Sequence, residues 1–305
     1  MIEKIVVGSG SAFALNGLLA VPDAGSAPYP AVVFVHGSGS SDMDSKVYEA
    51  RPFKDFAEGL AKLGIASIRY DKRSFIYPKQ MSKEITVYEE SIEDAILAAN
   101  MLRSDPRIDP DRIFIAGLSL GGHLAPRIDA EGGNFAGLII LAGTPRRLEE
   151  VMKSQAEDYL GKLPGPIKWL AEKQAGKLHA KLAGVYAMGD EEARKTPILG
   201  KHIMAIYFKD MGQKRVSEYL RESTKPILVM QGDGDFHVCV EKDFNEYKRI
   251  LQNHPNASFR LYVGLNHVFM PVVHGDIKKA KKEYSKPQHV EAFVIADIAQ
   301  WIHSR

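Results

Sequence analysis

The chain has 305 residues, of which 45% are hydrophobic and 26% charged, and its formal net charge is +2. This composition is typical of a globular protein with enough apolar residues for a large core. A nearly balanced charge gives no electrostatic reason to expect nucleic acid or a membrane surface as a partner. No apolar stretch approaches the ~20 residues that a transmembrane helix needs.

Cysteine content and the N-terminal sequence bear on location. Cys239 is the single cysteine, so an internal disulfide is impossible and the fold does not depend on an oxidising compartment. The first ten residues carry Glu3, a short apolar run and glycines, which is not the pattern of a signal peptide. We therefore expect a cytoplasmic protein.

The first half of the chain alternates between strand and helix patterns. Residues 5–7 and 12–21, separated by Gly8, Ser9 and Gly10, predict a β-hairpin. Apolar runs rich in β-branched residues predict buried strands at 31–35, 65–70, 112–116 and 138–142. Apolar residues at helical spacing predict helices at 52–63, at 91–103 and from residue 120 onward. This alternation favours a mostly parallel sheet with helices on both faces.

After residue 145 the strand pattern stops. Helical patterns cover 149–160, 167–182 and 216–222, strands return at 226–230 and 259–263, and a last helix covers 290–303. The simplest architecture is one α/β sheet domain interrupted by a helical insertion. We predict a core formed by residues 1–144 and 224–305, with residues 145–223 as a cap segment above the sheet.

A nucleophile motif lies between a predicted strand and a predicted helix. Residues 117–121 read Gly-Leu-Ser-Leu-Gly, the G-x-S-x-G pattern, in the strand–turn–helix context that the pattern requires. Gly117 and Gly121 remove side chains that would collide around a sharp turn, which lifts the Ser119 hydroxyl clear of the sheet. Alternatively, residues 117–121 form a glycine-rich turn between strand and helix that has no catalytic role. We predict Ser119 as the nucleophile.

A second glycine-rich loop follows the first buried strand. Residues 36–39 read His-Gly-Ser-Gly, and the carboxyl end of that strand lies beside the turn at Ser119. Small side chains allow backbone amides to approach a ligand closely. We predict that the amides of Ser38 and Leu120 form an oxyanion hole. The alternative is a turn that only connects two elements, and a phosphate cradle is disfavoured because the Lys-Ser/Thr of a P-loop is lacking.

A serine hydroxyl needs a base, and the base needs an orienting acid. Two carboxylates, Asp233 and Asp235, follow the strand at 226–230, and we favour Asp235 because it lies further into the loop. Asp233, beside a glycine, is suited to capping the turn instead. His267 follows the next strand, in a loop and after the acid, and is the predicted base. No H-E-x-x-H pair or Cys/His cluster is present, so we expect neither a metal nor a cofactor.

An apolar and aromatic cluster lies near the end of the cap segment. Met204, Tyr207 and Phe208 are candidates for the wall of a substrate pocket. At helical spacing, such residues also bury the interior of a cap.

With these motifs in place, the chain resembles the α/β-hydrolase superfamily. The resemblance rests on five segments, which are residues 36–39, 69–73, 117–122, 231–235 and 265–270. It is similar to bacterial carboxylesterases of the dienelactone-hydrolase-like and serine-aminopeptidase-like branches. In these esterases the last position of Q-G-x-x-D is the acid and the histidine of L-N-H is the base, which implies Asp235 and His267 here. Dienelactone hydrolases use a cysteine nucleophile, whereas this turn holds Ser119.

The resemblance and the residues together predict a serine hydrolase that cleaves small to medium carboxylic esters through an acyl-enzyme. Peptide, acyl-peptide or thioester hydrolysis uses the same machinery and remains an alternative. A noncatalytic binding protein on the same scaffold is a second alternative. We expect a small-molecule ester as partner, neither nucleic acid nor membrane, and the chain could form a homo-oligomer.

Overall fold

The computed structural model of the chain describes residues 1–81, 85–161, 163–199 and 203–305. Within these ranges, eight strands form one sheet in the order β1-β2-β4-β3-β5-β6-β9-β10, and β7 pairs with β8 in a separate ribbon. The strands are β1 (Ile2–Val7), β2 (Leu15–Ala20), β3 (Tyr29–Val35), β4 (Ala66–Tyr70), β5 (Ile108–Leu118), β6 (Gly137–Leu141), β7 (Pro197–Leu199), β8 (Ile203–Met204), β9 (Ile227–Gly232) and β10 (Ala257–Tyr262).

Strand direction divides the sheet into two parts. β2 runs antiparallel to both of its neighbours, β1 and β4, as the predicted hairpin requires. In the eight-stranded sheet, all neighbouring strands from β4 across to β10 are parallel to each other. The carboxyl ends of β3, β5, β6, β9 and β10 therefore meet at one edge, which is where the predicted functional loops begin.

Helices and short helical turns connect the strands. The helices are α1 (Pro52–Lys62), α2 (Arg73–Ile76), α3 (Glu93–Arg103), α4 (Leu120–Ile128), α5 (Leu148–Gly161), α6 (Gly165–Ala183), α7 (Asp190–Lys195), α8 (Ala205–Gly212), α9 (Val216–Glu222), α10 (Asn245–Ile250), α11 (Ala280–Glu283) and α12 (Ala292–His303). Short π or 3₁₀ turns cover Tyr88–Ile92, Asp129–Gly133, Val185–Ala187, Val240–Phe244 and Ile277–Lys279.

The central strands send alternate side chains to opposite faces of the sheet. In β3, Val33 and Val35 join the apolar cluster that packs against α3 and α4. Val32 and Phe34 join the cluster on the other face, against α1 and α12. Both faces are covered by helices, which confirms the predicted α/β-hydrolase fold with its mostly parallel sheet.

The segment between β6 and β9 contains α5 to α9 and the short ribbon of β7 and β8. A third, small apolar cluster lies inside it, formed by residues of α6, α7 and α8 with the segments between them. Tyr207 and Met211 of α8 and Leu220 of α9 instead join the cluster of the main sheet. The division into a core and a cap at residues 145–223 stays a prediction. Within the described residues, no helix combines the length and the apolar character needed to cross a membrane.

Candidate active site

Ser119 occupies a sharp turn between β5 and α4. Its backbone has φ 57° and ψ −115°, a conformation that costs a residue with a side chain ~1–3 kcal/mol. The Ser119 amide donates a hydrogen bond of 2.8 Å to the carbonyl of Leu141 in the neighbouring strand β6. The side chain stays partly exposed although the residues on both sides of it are buried. The fold thus holds a hydroxyl above the edge of the sheet.

The two glycines of the motif have no room for a side chain. A Cβ atom at Gly117 would lie 2.1 Å from the carbonyl oxygen of Gly121. A Cβ atom at Gly121 would lie 2.2 Å from the carbonyl oxygen of Val35, at the end of β3. Because backbone atoms cannot move aside easily, only glycine fits either position.

Asp235 and His267 are in direct contact at the carboxyl ends of β9 and β10. His267 Nδ1 lies 2.6 Å from Asp235 Oδ2, and the Asp235 side chain is fully buried. The other carboxylate oxygen accepts hydrogen bonds from the amides of His237, at 2.7 Å, and Val238, at 3.2 Å. A carboxylate only accepts, so Nδ1 carries the proton and Nε2 is left with a lone pair that can take up another.

Asp233 has a different role in the same loop. Its Oδ1 accepts a hydrogen bond of 2.7 Å from the amide of Gly264, and its own amide donates to the carbonyl of Tyr262. Asp233 therefore ties the two loops that follow β9 and β10. It is Asp235, and not Asp233, that contacts His267.

A cavity of about 500 Å³ opens above the carboxyl edge of the sheet. Ser38, Ser119, Leu120 and His237 form part of its wall. Most of the remainder is apolar and includes side chains from α5, α8 and the chain around them: Met81, Ile85, Leu148, Val151, Met152, Leu199, Ile203, Tyr207 and Phe208. A small number of polar groups in an apolar wall is typical of a small-molecule site.

Two of the three predicted pocket residues lie in this wall. Tyr207 and Phe208 line the cavity, whereas Met204 is not among the described residues of its wall. Met204 packs against the small apolar cluster within the cap segment, and its neighbour Ile203 lines the cavity instead. Met204 is the residue just before α8, so its side chain does not follow the helical spacing on which the prediction relied.

Ser119 lines the cavity, whereas His267 is not among the described residues of its wall. Among the described residues, no hydrogen bond joins the Ser119 hydroxyl to His267. The His237 ring connects the two regions, because it lines the cavity and lies 4.7 Å, centroid to centroid, from the His267 ring. Contacts between a nucleophile and its base often tighten only when substrate binds.

The predicted oxyanion loop lies directly against the turn at Ser119. A Cβ atom at Gly37 would lie 3.3 Å from Ser119 Cβ. Leu120 is the first residue of α4, where backbone N–H groups have no partner within the helix. Within the part of the chain that the structure describes, neither the Ser38 nor the Leu120 amide donates to a protein acceptor. Both amides are therefore suited to binding an anion.

The sequence patterns assigned no role to His237 and His123, which both line the cavity. Burial, and then the neighbouring His267, lowers the pKa of His237 to about 4. His123 follows the nucleophile motif, and its Nδ1 donates to the carbonyl of Thr144 at 2.9 Å. Burial also lowers the pKa of His123. Both rings therefore remain neutral near pH 7 and act as wall and support rather than as charged groups.

Sequence reasoning missed Lys72 and Glu90. Lys72 Nζ donates to the carbonyl oxygens of Gly37 and Gly39, at 3.1 Å each, and lies 3.4 Å from Glu90 Oε1. The only signal for Lys72 was the charged segment at residues 69–73, which carried part of the family resemblance without an assigned function. Glu90 lies outside that segment and belonged to no motif.

Comparison with known proteins finds related sequences and structures. Residues 26–270 match the family model described as serine aminopeptidase, S33. Esterase EstD of Thermotoga maritima is 36% identical over 290 residues, which cover 94% of this chain and 65% of that protein. This chain thus spans less than two thirds of the length of that relative.

Solved structures share the fold at low sequence identity. Est1E from Butyrivibrio proteoclasticus superposes with a TM-score of 0.60 at 16% identity, over 99% of both chains. A puromycin-hydrolyzing peptidase of Mycobacterium tuberculosis gives 0.59 at 15% identity, over 99% of this chain and 40% of that one. Together with the family match, the motifs and the sheet, these findings establish that the chain belongs to the serine aminopeptidase S33 family of the α/β-hydrolase superfamily.

Proposed function

We propose that the chain hydrolyses carboxylic esters through an acyl-enzyme, with Ser119 as nucleophile, His267 as base and Asp235 as the acid that orients it. The observation that carries the proposal is the buried Asp235–His267 hydrogen bond of 2.6 Å, at the sheet edge where Ser119 opens into an apolar cavity. The similarity to an esterase over 94% of this chain supports the same reaction class.

The proposed reaction has two halves. His267 Nε2 takes the hydroxyl proton as Ser119 Oγ attacks the ester carbonyl, and the amides of Ser38 and Leu120 stabilise the resulting oxyanion. His267 then gives the proton to the departing alcohol as the carbon–oxygen bond breaks. In the second half, His267 removes a proton from water, which attacks the acyl group, and the released Ser119 oxygen recovers the proton.

The charge of the cavity wall favours a neutral acyl group. Of the described residues that line the cavity, Glu90 is the one carboxylate. It lies 3.4 Å from Lys72 Nζ and accepts a hydrogen bond of 2.7 Å from Tyr207. A peptide with a free α-ammonium group would need an anion in the wall, and Glu90 is already paired. This supports esters over aminopeptidase substrates.

A direct comparison of substrates tests the proposal. Nitrophenyl esters of increasing acyl length and an aminoacyl anilide would be assayed with the wild type and with Ser119→Ala. We expect the esters to dominate, and their kcat to fall by about 10³–10⁶-fold in Ser119→Ala, as when other serine hydrolases lose the nucleophile. A dominant anilide rate would assign the chain to peptide hydrolysis, and ester turnover that persists in Ser119→Ala would exclude the proposed nucleophile.

A further inference from the structure

A buried lysine lies behind the proposed oxyanion loop. Only 3% of the Lys72 side chain is exposed, and its ammonium group donates to the carbonyls of Gly37 and Gly39. Removing an ammonium group from water is costly unless the site supplies partners. Three acceptors, two carbonyls and the Glu90 carboxylate, compensate for this cost. Burial lowers the pKa of Lys72, and the charge of Glu90 acts in the opposite direction.

Peptide geometry connects this lysine to the proposed oxyanion hole. In a trans peptide, the carbonyl of one residue and the N–H of the next point in opposite directions. The carbonyl of Gly37 belongs to the same peptide unit as the N–H of Ser38. By holding that carbonyl, Lys72 fixes the Ser38 N–H on the opposite side, away from the lysine. A cation at the carbonyl also polarises the peptide and strengthens its N–H as a donor.

The backbone around Lys72 fixes the remainder of the loop. The Lys72 amide donates to the carbonyl of Ser41 at 3.0 Å. The His36 ring donates through Nε2 to the carbonyl of Asp42, also at 3.0 Å. Residues 36–42 are therefore tied to the end of β4 on both sides of Ser38.

The same network reaches the cap segment. The Tyr207 hydroxyl of α8 donates to Glu90 Oε2 at 2.7 Å, while the other oxygen of Glu90 lies 3.4 Å from Lys72 Nζ. Tyr207 also lines the cavity, so a bound substrate can contact it. A continuous path of polar contacts thus runs from α8 through Glu90 and Lys72 to the Gly37–Ser38 peptide.

We propose that Lys72 is the positioning residue of the oxyanion hole, and that Tyr207 couples the cap segment to it through Glu90. The inference rests on the proposed function, because an oxyanion forms only if Ser119 attacks an acyl group. Lys72 acts through the Ser38 peptide and does not touch the substrate itself.

The test compares Lys72→Met with Lys225→Met as a matched control. Lys225 is also paired, with Asp129 at 2.9 Å, but lies away from the cavity. We expect Lys72→Met to lower kcat by about 10–10³-fold with KM changed less than about threefold, because loss of one oxyanion donor acts on the transition state. Tyr207→Phe, which keeps the ring in the wall, should lower kcat by a smaller factor. Lys225→Met should leave both constants near the wild-type values.

A second readout separates positioning from general damage. Binding of a trifluoromethyl ketone, which forms an oxyanion on the serine, should weaken in Lys72→Met by the same factor as kcat/KM. If Lys72→Met does not fold, Glu90→Gln carries the test with the same expected effect on kcat and on ketone binding. A folded Lys72→Met variant with wild-type kcat and ketone affinity would overturn the role given to Lys72 and leave the proposed function intact. A wild type without Ser119-dependent turnover would instead overturn the proposed function.

Discussion

Ser119 has the least favourable backbone conformation of the proposed triad, and the surrounding contacts maintain it. Its amide and its carbonyl are both hydrogen bonded, to Leu141 at 2.8 Å and to the His123 amide at 3.1 Å. A backbone conformation with positive φ and ψ near −115° is one that glycine adopts more easily than any other residue. The conformation of this turn therefore lowers the stability of the fold and, in return, keeps the Ser119 hydroxyl exposed.

Replacing this residue should separate stability from activity. Ser119→Gly relieves the strain, although the extra freedom of glycine in the unfolded chain offsets ~0.5–1 kcal/mol of the gain. We expect Ser119→Gly to be more stable than Ser119→Ala by about 1 kcal/mol, with neither variant active. Urea unfolding monitored by circular dichroism gives the difference. Ser119→Gly less stable than Ser119→Ala by about 0.5–1 kcal/mol would show that the turn is unstrained.

Sequence reasoning at this scale succeeded where local pattern determines geometry. The turn at Ser119 follows from two glycines at fixed spacing, which local sterics explain. Asp233 and Asp235 occupy similar local sequences, and only the distance to His267 separates them. Lys72 was missed because its partners are carbonyls more than thirty residues away, which leave no local pattern.

Helix α8 is one of the elements that pack the segment between β6 and β9 against the sheet core. Arg127 of α4 donates to the Asp210 carboxylate at 2.9 Å and to its carbonyl at 3.0 Å. Both side chains are largely buried, with exposures of 11% and 15%. An ion pair at this depth is screened less than a surface pair. Without the Asp210 charge, Arg127 keeps an ion pair only with Glu131 among the described residues, at 2.7 Å.

Loss of this pair should therefore destabilise the protein measurably. We expect Asp210→Asn to lower the free energy of unfolding by about 1–3 kcal/mol, the range for a hydrogen bond to a charged group. Glu191→Gln breaks the pair with Lys195 on α7, whose side chains are 92% and 75% exposed, and serves as the control. It should cost less than about 0.5 kcal/mol. Similar denaturant midpoints for both variants would contradict the role given to Asp210.

Elements were predicted well where a periodic pattern was long. The amphipathic patterns at 149–160 and 167–182 correspond to α5 and α6 within two residues at each end. The ribbon of β7 and β8 was not predicted, because strands of three and two residues show no period. Met204 is absent from the described cavity wall for a related reason, since the helical spacing used to place it begins only inside α8.

At the scale of the whole molecule, three neutral histidines lie near the carboxyl edge of the sheet. Burial, with the charge of Lys72 acting in the same direction, lowers the pKa of His36 to about 3. The pKa values of His237 and His123 are lowered as well. An unfolded chain binds protons at these groups near pH 6.5, whereas the folded chain does so only at lower pH. Their contribution to stability is thus complete above pH 6.5 and is lost as pH falls.

Stability should therefore decrease between about pH 6.5 and pH 3. Each such histidine contributes a slope of up to about 1.4 kcal/mol per pH unit within its own window. His36→Gln, which keeps a donor towards the Asp42 carbonyl, should flatten the dependence by up to that amount. Urea unfolding at a series of pH values measures it. An unchanged slope in His36→Gln would mean that His36 is already protonated in the folded protein.

The global architecture was the most predictable property of this chain. Alternating strand and helix patterns predicted a mostly parallel sheet, and parallel strands bring their carboxyl ends to one edge. The sequence alone therefore predicts that the loops of Ser119, Asp235 and His267 lie in one region. The shape of the cavity was not predictable, because it depends on how side chains of α5 and α8 pack beside the turn at Ser119.

The central claim is that these three side chains act as one unit, and labelling with a fluorophosphonate tests it most directly. The measurement is the labelling rate, with the modified residue located by mass spectrometry. We predict a single adduct on Ser119, no labelling of Ser119→Ala, and much slower labelling in His267→Ala and Asp235→Asn than in the matched control Asp233→Asn. An adduct on another residue, or wild-type rates in His267→Ala, would contradict the account.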